Sequence, residues 1–342
     1  MKKPVYTLKA IDVLKPILII ALGLAIGGIL IFVSGQNPLT AYQLAFKVFV
    51  SSIFKITDVF VYATILIIIG AGLAVAFTGN MWNIGAEGQL WIGALAAAFV
   101  VSSLRNAPPA VLIPILYISS FLGGAVWAFF PGMLKAKYGT NEILTTLLMC
   151  PIAIYLVIYF LWGALRDPVT GYAQGKLIPE AAFLPVIVPG TRLDIGLFLA
   201  LAVALIVFVL IEKTVIGYKI KIIGASPKTA QYGGIHLASM QIWTMVISGG
   251  ICGLAGAQLL MGVTHRLLEG LSPGSGFWGY GFMGIAVVIM AKSNALAVIA
   301  TSLFFAFLIS MTFLLEASAG VSHFIFEFIE GLIILLIVLL YK

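Results

Sequence analysis

Apolar residues along this chain gather into long runs, and the stretches between them hold most of the charges. A helix of about 20 apolar residues crosses the hydrocarbon core of a bilayer. Reading for such runs gives ten, at approximately 16–34, 59–77, 84–103, 110–130, 143–163, 194–211, 241–262, 278–291, 295–315 and 323–341. The eighth is short and Gly-rich. The pattern predicts an all-α, polytopic membrane protein. Lys2, Lys3, Lys9 and Lys15 ahead of Ile17–Val33 resemble the start of a secretory signal. The run is long, however, and no small-x-small cleavage site follows, so a retained first helix is expected.

Composition narrows the class further. Hydrophobic residues make up 62% of the 342 positions and charged residues only 9%, against roughly 25% charged in soluble domains. The solvent for this surface must be lipid. No soluble module is appended, so residues 1–342 are expected to form one membrane domain without a catalytic part. Cys150 and Cys252 both lie in apolar runs without ligand-like neighbours and read as small core residues.

The net charge of +7 is spread between the runs and does not form one basic block, which argues against nucleic acid as a partner. With a cytoplasmic amino terminus, 12 of the 19 basic residues fall on the inner side. That bias predicts both termini in the cytoplasm of a multi-pass protein of the cell membrane. Every arginine falls outside, two beside acids, as Arg166–Asp167 and Arg192–Asp194. The outer loop Ala164–Leu193 carries Pro168, Pro179, Pro185 and Pro189, too many for a regular helix. The inner loop Glu212–Met240 is the most lysine-rich. Runs two to five and seven to ten start from opposite sides, as in an inverted-topology repeat.

Several segments carry candidate chemistry. In Thr78–Gln89, three glycines allow a break, and Asn83, Glu87 and Gln89 are polar at or below the membrane surface. A carboxylate inside a span is costly unless paired or facing water, so Glu87 is a pathway candidate. The same residue also suits the first turn of an ordinary helix, and the residues alone leave both readings open. Thr140 or Asn141 can cap the fifth helix, with Glu142 at its positive end; the functional alternative is an inner gate. Ser226–Gly234 has an N-cap serine, proline at the first helical position and a Gly-Gly stop. Such a short helix outside the bilayer needs either the headgroup surface or a partner protein to cover it. Gly249-x-x-x-Gly253-x-x-x-Ala257 is a helix-packing face, and Ser272–Gly281 leads Gly-rich into the eighth run. Glu327 and Glu330, near His323, line a cavity or pair across helices, or, for Glu327, simply reach the outer interface from the helix end.

Gly171 and Gly175-Lys176 have the wrong spacing for a phosphate loop, and His236, His265 and His323 are scattered. The chain is therefore expected to hydrolyse no ATP itself and to hold no metal or cofactor.

The blocks Asn83–Gln89, Gly139–Glu142, Gly224–Ile235 and Ser248–Ala257 occur in an order and spacing that resembles the branched-chain amino acid/ribose permease superfamily. They look most like its bacterial and archaeal nucleoside, or simple-sugar, importer permeases. The resemblance implies the type II ABC-importer membrane fold with ten helices per subunit. It also implies cytoplasmic ABC ATPase subunits that bind ATP and Mg, a second non-identical permease, and an extracytoplasmic substrate-binding lipoprotein. It places a coupling helix on Ser226, Pro227, Lys228, Thr229, Ala230, Gln231, Tyr232 and Gly233. The inner gate is then expected at Thr140, Asn141 and Glu142, and the substrate path at Asn83, Glu87 and Gln89. The chain departs from the family at Glu330, where glutamine is common, so no role is carried to that position. The expected function is nucleoside import by alternating access. Ribose or another simple sugar is the alternative substrate, and an ion-coupled secondary transporter is the alternative class.

Overall fold

The computed structural model describes residues 25–33, 35–269 and 279–319, with positions 328, 331, 332 and 335 beyond them. The tenth run with His323, Glu327 and Glu330, the stretch Ser272–Trp278 and the basic amino-terminal residues lie outside the described residues. The described residues are nearly all helical. In chain order they form α1 (residues 25–33), α2 (Pro38–Ser51), α3 (Ile53–Thr78), α4 (Ala86–Ser103), α5 (Pro109–Tyr138) and α6 (Glu142–Trp162). Then follow α7 (Gly196–Lys213), α8 (Val215–Ala225), α9 (Pro227–Tyr232), α10 (Leu237–Gln258), α11 (Tyr280–Met290) and α12 (Ala297–Ala319). Seven helices are long and apolar enough to span a bilayer, and Tyr280–Met290 is a shorter apolar helix. These match the expected runs two to nine. Two helices were not anticipated. Asn37 caps α2 through its side chain, and Thr214 caps α8; both helices are too short to cross a membrane.

The chain divides into two compact units, residues 1–56 with 307–342, and residues 57–306. In the first, Phe49 meets Phe307 edge to face, with ring centroids 5.3 Å apart. The second holds every described candidate residue. Helix α3 is apolar around most of its circumference and buried along most of its length, against α10 and α11 among others, as a helix without a polar face must be. Helices α5, α6 and α7 bury one stripe and leave Phe129, Tyr155, Tyr159 and Ile206 exposed. Apolar surface on this scale is stable only against lipid or another membrane subunit.

In lipid, apolar side chains gain little by leaving the bilayer for one another, so helices associate through close backbone contact and hydrogen bonds. The α5–α10 crossing is built this way. A Cβ on Gly124 would strike the Gly249 carbonyl, and one on Gly253 the Ser120 carbonyl. The Ser120 hydroxyl donates to the Gly253 carbonyl at 2.5 Å and accepts from the Ala257 N–H at 3.1 Å. The small-residue face expected over 249–257 is thus a helix-packing face. Cys150 and Cys252 are buried free thiols, as expected.

Gly253→Val should displace α10 from α5 at a cost at or above about 3 kcal/mol, the upper range for overpacking. Thermal unfolding of the detergent-purified chain checks this, and Gly171→Ala, where nothing lies near the added carbon, should leave the transition unchanged.

Candidate functional site

The turn between α3 and α4 is where the sequence is most polar inside the core. Thr78 ends α3 by donating its hydroxyl to the Ala74 carbonyl at 2.7 Å. Asn80 takes a left-handed conformation, φ 53°, which asparagine tolerates better than most residues. The Met81 N–H then closes back on the Ala76 carbonyl at 2.9 Å. Beyond the turn, Asn83 and Gln89 face each other as a reciprocal amide pair. Asn83 Nδ2 donates to Gln89 Oε1 at 2.9 Å, and Gln89 Nε2 donates to Asn83 Oδ1 at 2.9 Å. Asn83 Nδ2 also donates to Ser248 Oγ on α10 at 3.0 Å, and the Gly85 N–H donates to Asn83 Oδ1 at 3.1 Å.

Glu87 sits in the first turn of α4 and is fully buried. Its Oε1 accepts from Trp91 Nε1 at 2.9 Å, and its Oε2 accepts from the Gly281 N–H at 2.7 Å. Gly281 packs so tightly on Glu87 that a Cβ there would strike the Glu87 backbone nitrogen. The carboxylate therefore joins the start of α4 to the start of α11. All three expected path residues are brought together, buried and bonded to protein, and a solute reaches them only if these elements part.

The expected gate residues lie beside this turn. Asn141 caps α6, accepting from the Ile143 N–H at 2.9 Å. Glu142 pairs with Lys135 Nζ at 2.7 Å. Thr140 Oγ1 is buried without a partner. One turn along, Thr146 accepts the Ile84 N–H at 3.1 Å, which ties the start of α6 to the Asn83 turn.

The inner-loop segment forms α9, capped as expected. Ser226 Oγ accepts from the Thr229 N–H at 3.2 Å, and Gly234, φ 75°, stops the helix. Ala230 is buried, while Pro227, Lys228, Thr229, Gln231, Tyr232 and Gly233 are exposed, Tyr232 at 93%. Helix α8 connects α9 to the core. A side chain on Gly224 would strike the Thr78 carbonyl, so α8 bears on the turn that carries Asn83.

The opposite end gathers groups the sequence reading missed. Arg192 does not pair with its sequence neighbour Asp194 but with Asp58 on α3, at 2.9 Å. Residues 186–194 fold into a hairpin that turns at Gly190. At its base, Asp194 accepts from the Gly196 N–H at 2.7 Å and from Gln258 Nε2 at 2.9 Å. Tyr117 donates to Gln258 Oε1 at 2.6 Å, which fixes the amide with its nitrogen toward Asp194. Burial raises the Asp194 carboxyl above its ordinary value, against the pull of Gln258, the Gly196 N–H and His265. His265, just past the π-helical turn Leu259–Thr264, is left-handed at φ 54° and stacks on Phe183 at 4.0 Å. The available signal was a lone glutamine and a lone tyrosine within apolar runs. Among the described residues no group of three His, Cys, Asp or Glu side chains could hold a metal ion.

The family described as "Branched-chain amino acid transport system / permease component" matches residues 55–339. A glucose ABC transporter permease of Haloferax volcanii is 30% identical over 94% of this chain and 86% of its own length. A guanosine ABC transporter permease of Bacillus subtilis is 31% identical over 84% of this chain and 81% of its own. A nucleoside ABC transporter permease of Lactococcus lactis is 28% identical over 88% and 84%. In each of these three organisms a second permease also matches, at 24% identity over 67–75% of this chain. No solved structure matches the chain with significance.

Asn83→Leu should strand Gln89 and Ser248, each orphaned buried group costing about 1–3 kcal/mol. A melting curve in detergent should show the loss, and Asn106→Leu on the exposed turn should not. A second test concerns acid. Burial holds the His265 imidazole below its ordinary value. The folded chain thus binds fewer protons here than the unfolded one through the ordinary histidine range, and this contribution is lost as pH falls. His265→Asn, which tolerates the same backbone, should shrink the drop in melting temperature between about pH 7.5 and about pH 5.

Proposed function

The chain belongs to the branched-chain amino acid transport permease family, as an ABC transporter permease, and we propose that it is the membrane-spanning subunit of an importer for nucleosides. The observation that carries this reading is the attachment of α9. A short, fully capped helix with an almost wholly exposed face is joined through α8 to the turn bearing Asn83, Glu87 and Gln89. A helix that small buries little of itself, so its exposed face suits a partner protein. We assign that partner as a cytoplasmic ABC ATPase that binds ATP and Mg. The lysine-rich end with α9 then faces the cytoplasm, both termini are cytoplasmic, and Arg105, Arg166, Arg192 and Arg266 face outward.

A second, non-identical permease completes the path, supported by the paired matches in three organisms. An extracytoplasmic substrate-binding lipoprotein delivers the solute. Movement of Ser226–Gly233 displaces α8, and α8 displaces the turn after α3. Asn83, Glu87 and Gln89 form the wall that parts for the solute, with Thr140, Asn141 and Glu142 at its inner rim. The relative from Haloferax volcanii favours a second reading, in which the same machine imports a hexose.

Tyr232→Asp alters an exposed side chain and should leave the fold intact. In proteoliposomes holding the full complex, guanosine-stimulated ATP hydrolysis should fall roughly 10–30-fold, as on losing one interface anchor. Stimulation equal to wild type would remove the coupling assignment. Uptake driven by an ion gradient without the ATPase would favour a secondary transporter instead.

A further inference from the structure

The outer end of the second unit holds a cluster that the coupling scheme leaves unused. Asp58 lies on α3 and Tyr62 one turn further in. Arg192, from the hairpin, donates to Asp58 Oδ1 at 2.9 Å, and its charge also reaches Tyr62. Beneath them Tyr280, almost completely buried at the start of α11, lies against Tyr62 with ring centroids 6.4 Å apart and planes at 36°. The next residue, Gly281, is the one whose N–H binds Glu87. A line of polar and aromatic groups thus runs from the exposed Arg192 through Asp58, Tyr62 and Tyr280 to Glu87 and Trp91.

Stability alone gives little reason for this arrangement. An ion pair whose arginine is half exposed adds little to stability, and ionisable groups in a membrane domain mark solute pathways by default. The chemistry narrows the solute. A carboxylate accepts two O–H groups side by side, and a guanidinium presents a planar fork of donors. Tyrosine rings offer flat faces for an apolar ring surface, with a hydroxyl at the edge. Guanosine and glucose, named for the relatives, share adjacent hydroxyl groups on a saturated ring.

We propose that Asp58, Arg192, Tyr62 and Tyr280 form an outer recognition station for solutes bearing a vicinal diol. The Arg192–Asp58 pair closes the station when it is empty. A diol replaces that pair, donating to the Asp58 carboxylate and accepting from Arg192, while the sugar ring lies on Tyr62. The station rests on the importer reading, and it explains how one site accommodates either a nucleoside or a hexose.

The test uses proteoliposomes with the complete complex and one binding protein throughout, so any change in preference between solutes belongs to this chain. Uptake of a ribonucleoside is compared with that of its 2′,3′-dideoxy analogue, which lacks the diol. Wild type should favour the ribonucleoside. In Asp58→Asn and Arg192→Gln the ratio of kcat/KM between the two solutes should fall at least about tenfold, through KM, because a site built for hydroxyls rejects an analogue lacking them. Uptake of the dideoxy compound should hold. Tyr62→Phe keeps the ring and should give a smaller loss in the same direction. If Asp58→Asn does not reach the membrane, Asp58→Glu retains the charge and moves the carboxylate outward; the ratio should still change. Equal slowing of both solutes would make the cluster a strut and overturn the proposal. So would a double swap, Asp58→Arg with Arg192→Asp, that restores wild-type preference. A wild-type complex that moves neither nucleosides nor sugars would sink the importer reading itself, and the station with it.

Discussion

Polar side chains inside a lipid-solvated domain have no water to fall back on, and nearly every specific contact in the second unit follows from that. Buried amides and carboxylates need partners; several threonines bond carbonyls of their own helix, but the larger groups also reach to other elements. Asn83 finds Gln89 and Ser248, Glu87 finds Trp91 and Gly281, Ser120 finds Gly253, and Gln258 finds Tyr117 and Asp194. Most of these join elements distant in the chain. Apolar side chains hold the helices in the bilayer without telling them where to meet. Polar pairs and bare glycine backbones do that.

This division explains what could be read from the residues. The spans were legible because hydrocarbon thickness imposes a length, and eight of the expected runs coincide with described helices. The caps of α6 and α9 were legible because capping is local: Asn141 and Ser226 each bind an N–H within three residues. The helices α2 and α8 were not, since lysines interrupt their apolar pattern and neither is long enough to span. Partner choice was the least legible feature. Arg192 stands two residues from Asp194, yet pairs with Asp58, 134 residues away, because Gln258 already occupies Asp194. The polarity of Asn83, Glu87 and Gln89 marked a buried polar cluster, but that Ser248, Thr146 and Gly281 are its partners follows only from the fold.

The two ends of the unit are built from different bonds. At the lysine-rich end the bonds that hold the Asn83 turn are neutral, an amide pair, a serine and a threonine, with the ion pairs Lys135–Glu142 and Lys221–Glu212 set to either side of it. At the arginine-rich end the bonds are charged or charge-assisted, Arg192 with Asp58 and Asp194 with Gln258. Charge-assisted hydrogen bonds are roughly twice as strong as neutral ones. The 186–194 hairpin is therefore fastened to α3 and α10 by bonds that resist chance opening, whereas the Thr78–Gly85 turn is held by bonds a modest push can exchange.

On the proposed reading, in which a partner acts on α9, that difference bears on which part yields. Helices α4, α5 and α10 meet backbone to backbone, where Gly93, Gly124 and Gly253 leave no side chain to slide, and so behave as one block. The turn from Thr78 to Gly85 touches this block through neutral hydrogen bonds to Gln89 and Ser248, and touches α6 through the Thr146 hydroxyl. Helix α8 presses on the same turn at the Thr78 carbonyl. A force arriving through α8 thus meets its softest joint first, where about 1 kcal/mol per neutral bond resists it, before it reaches the carboxylate joint at Glu87. On the proposed reading the turn, and not the helices, is the element that an ATPase acting on α9 would shift first.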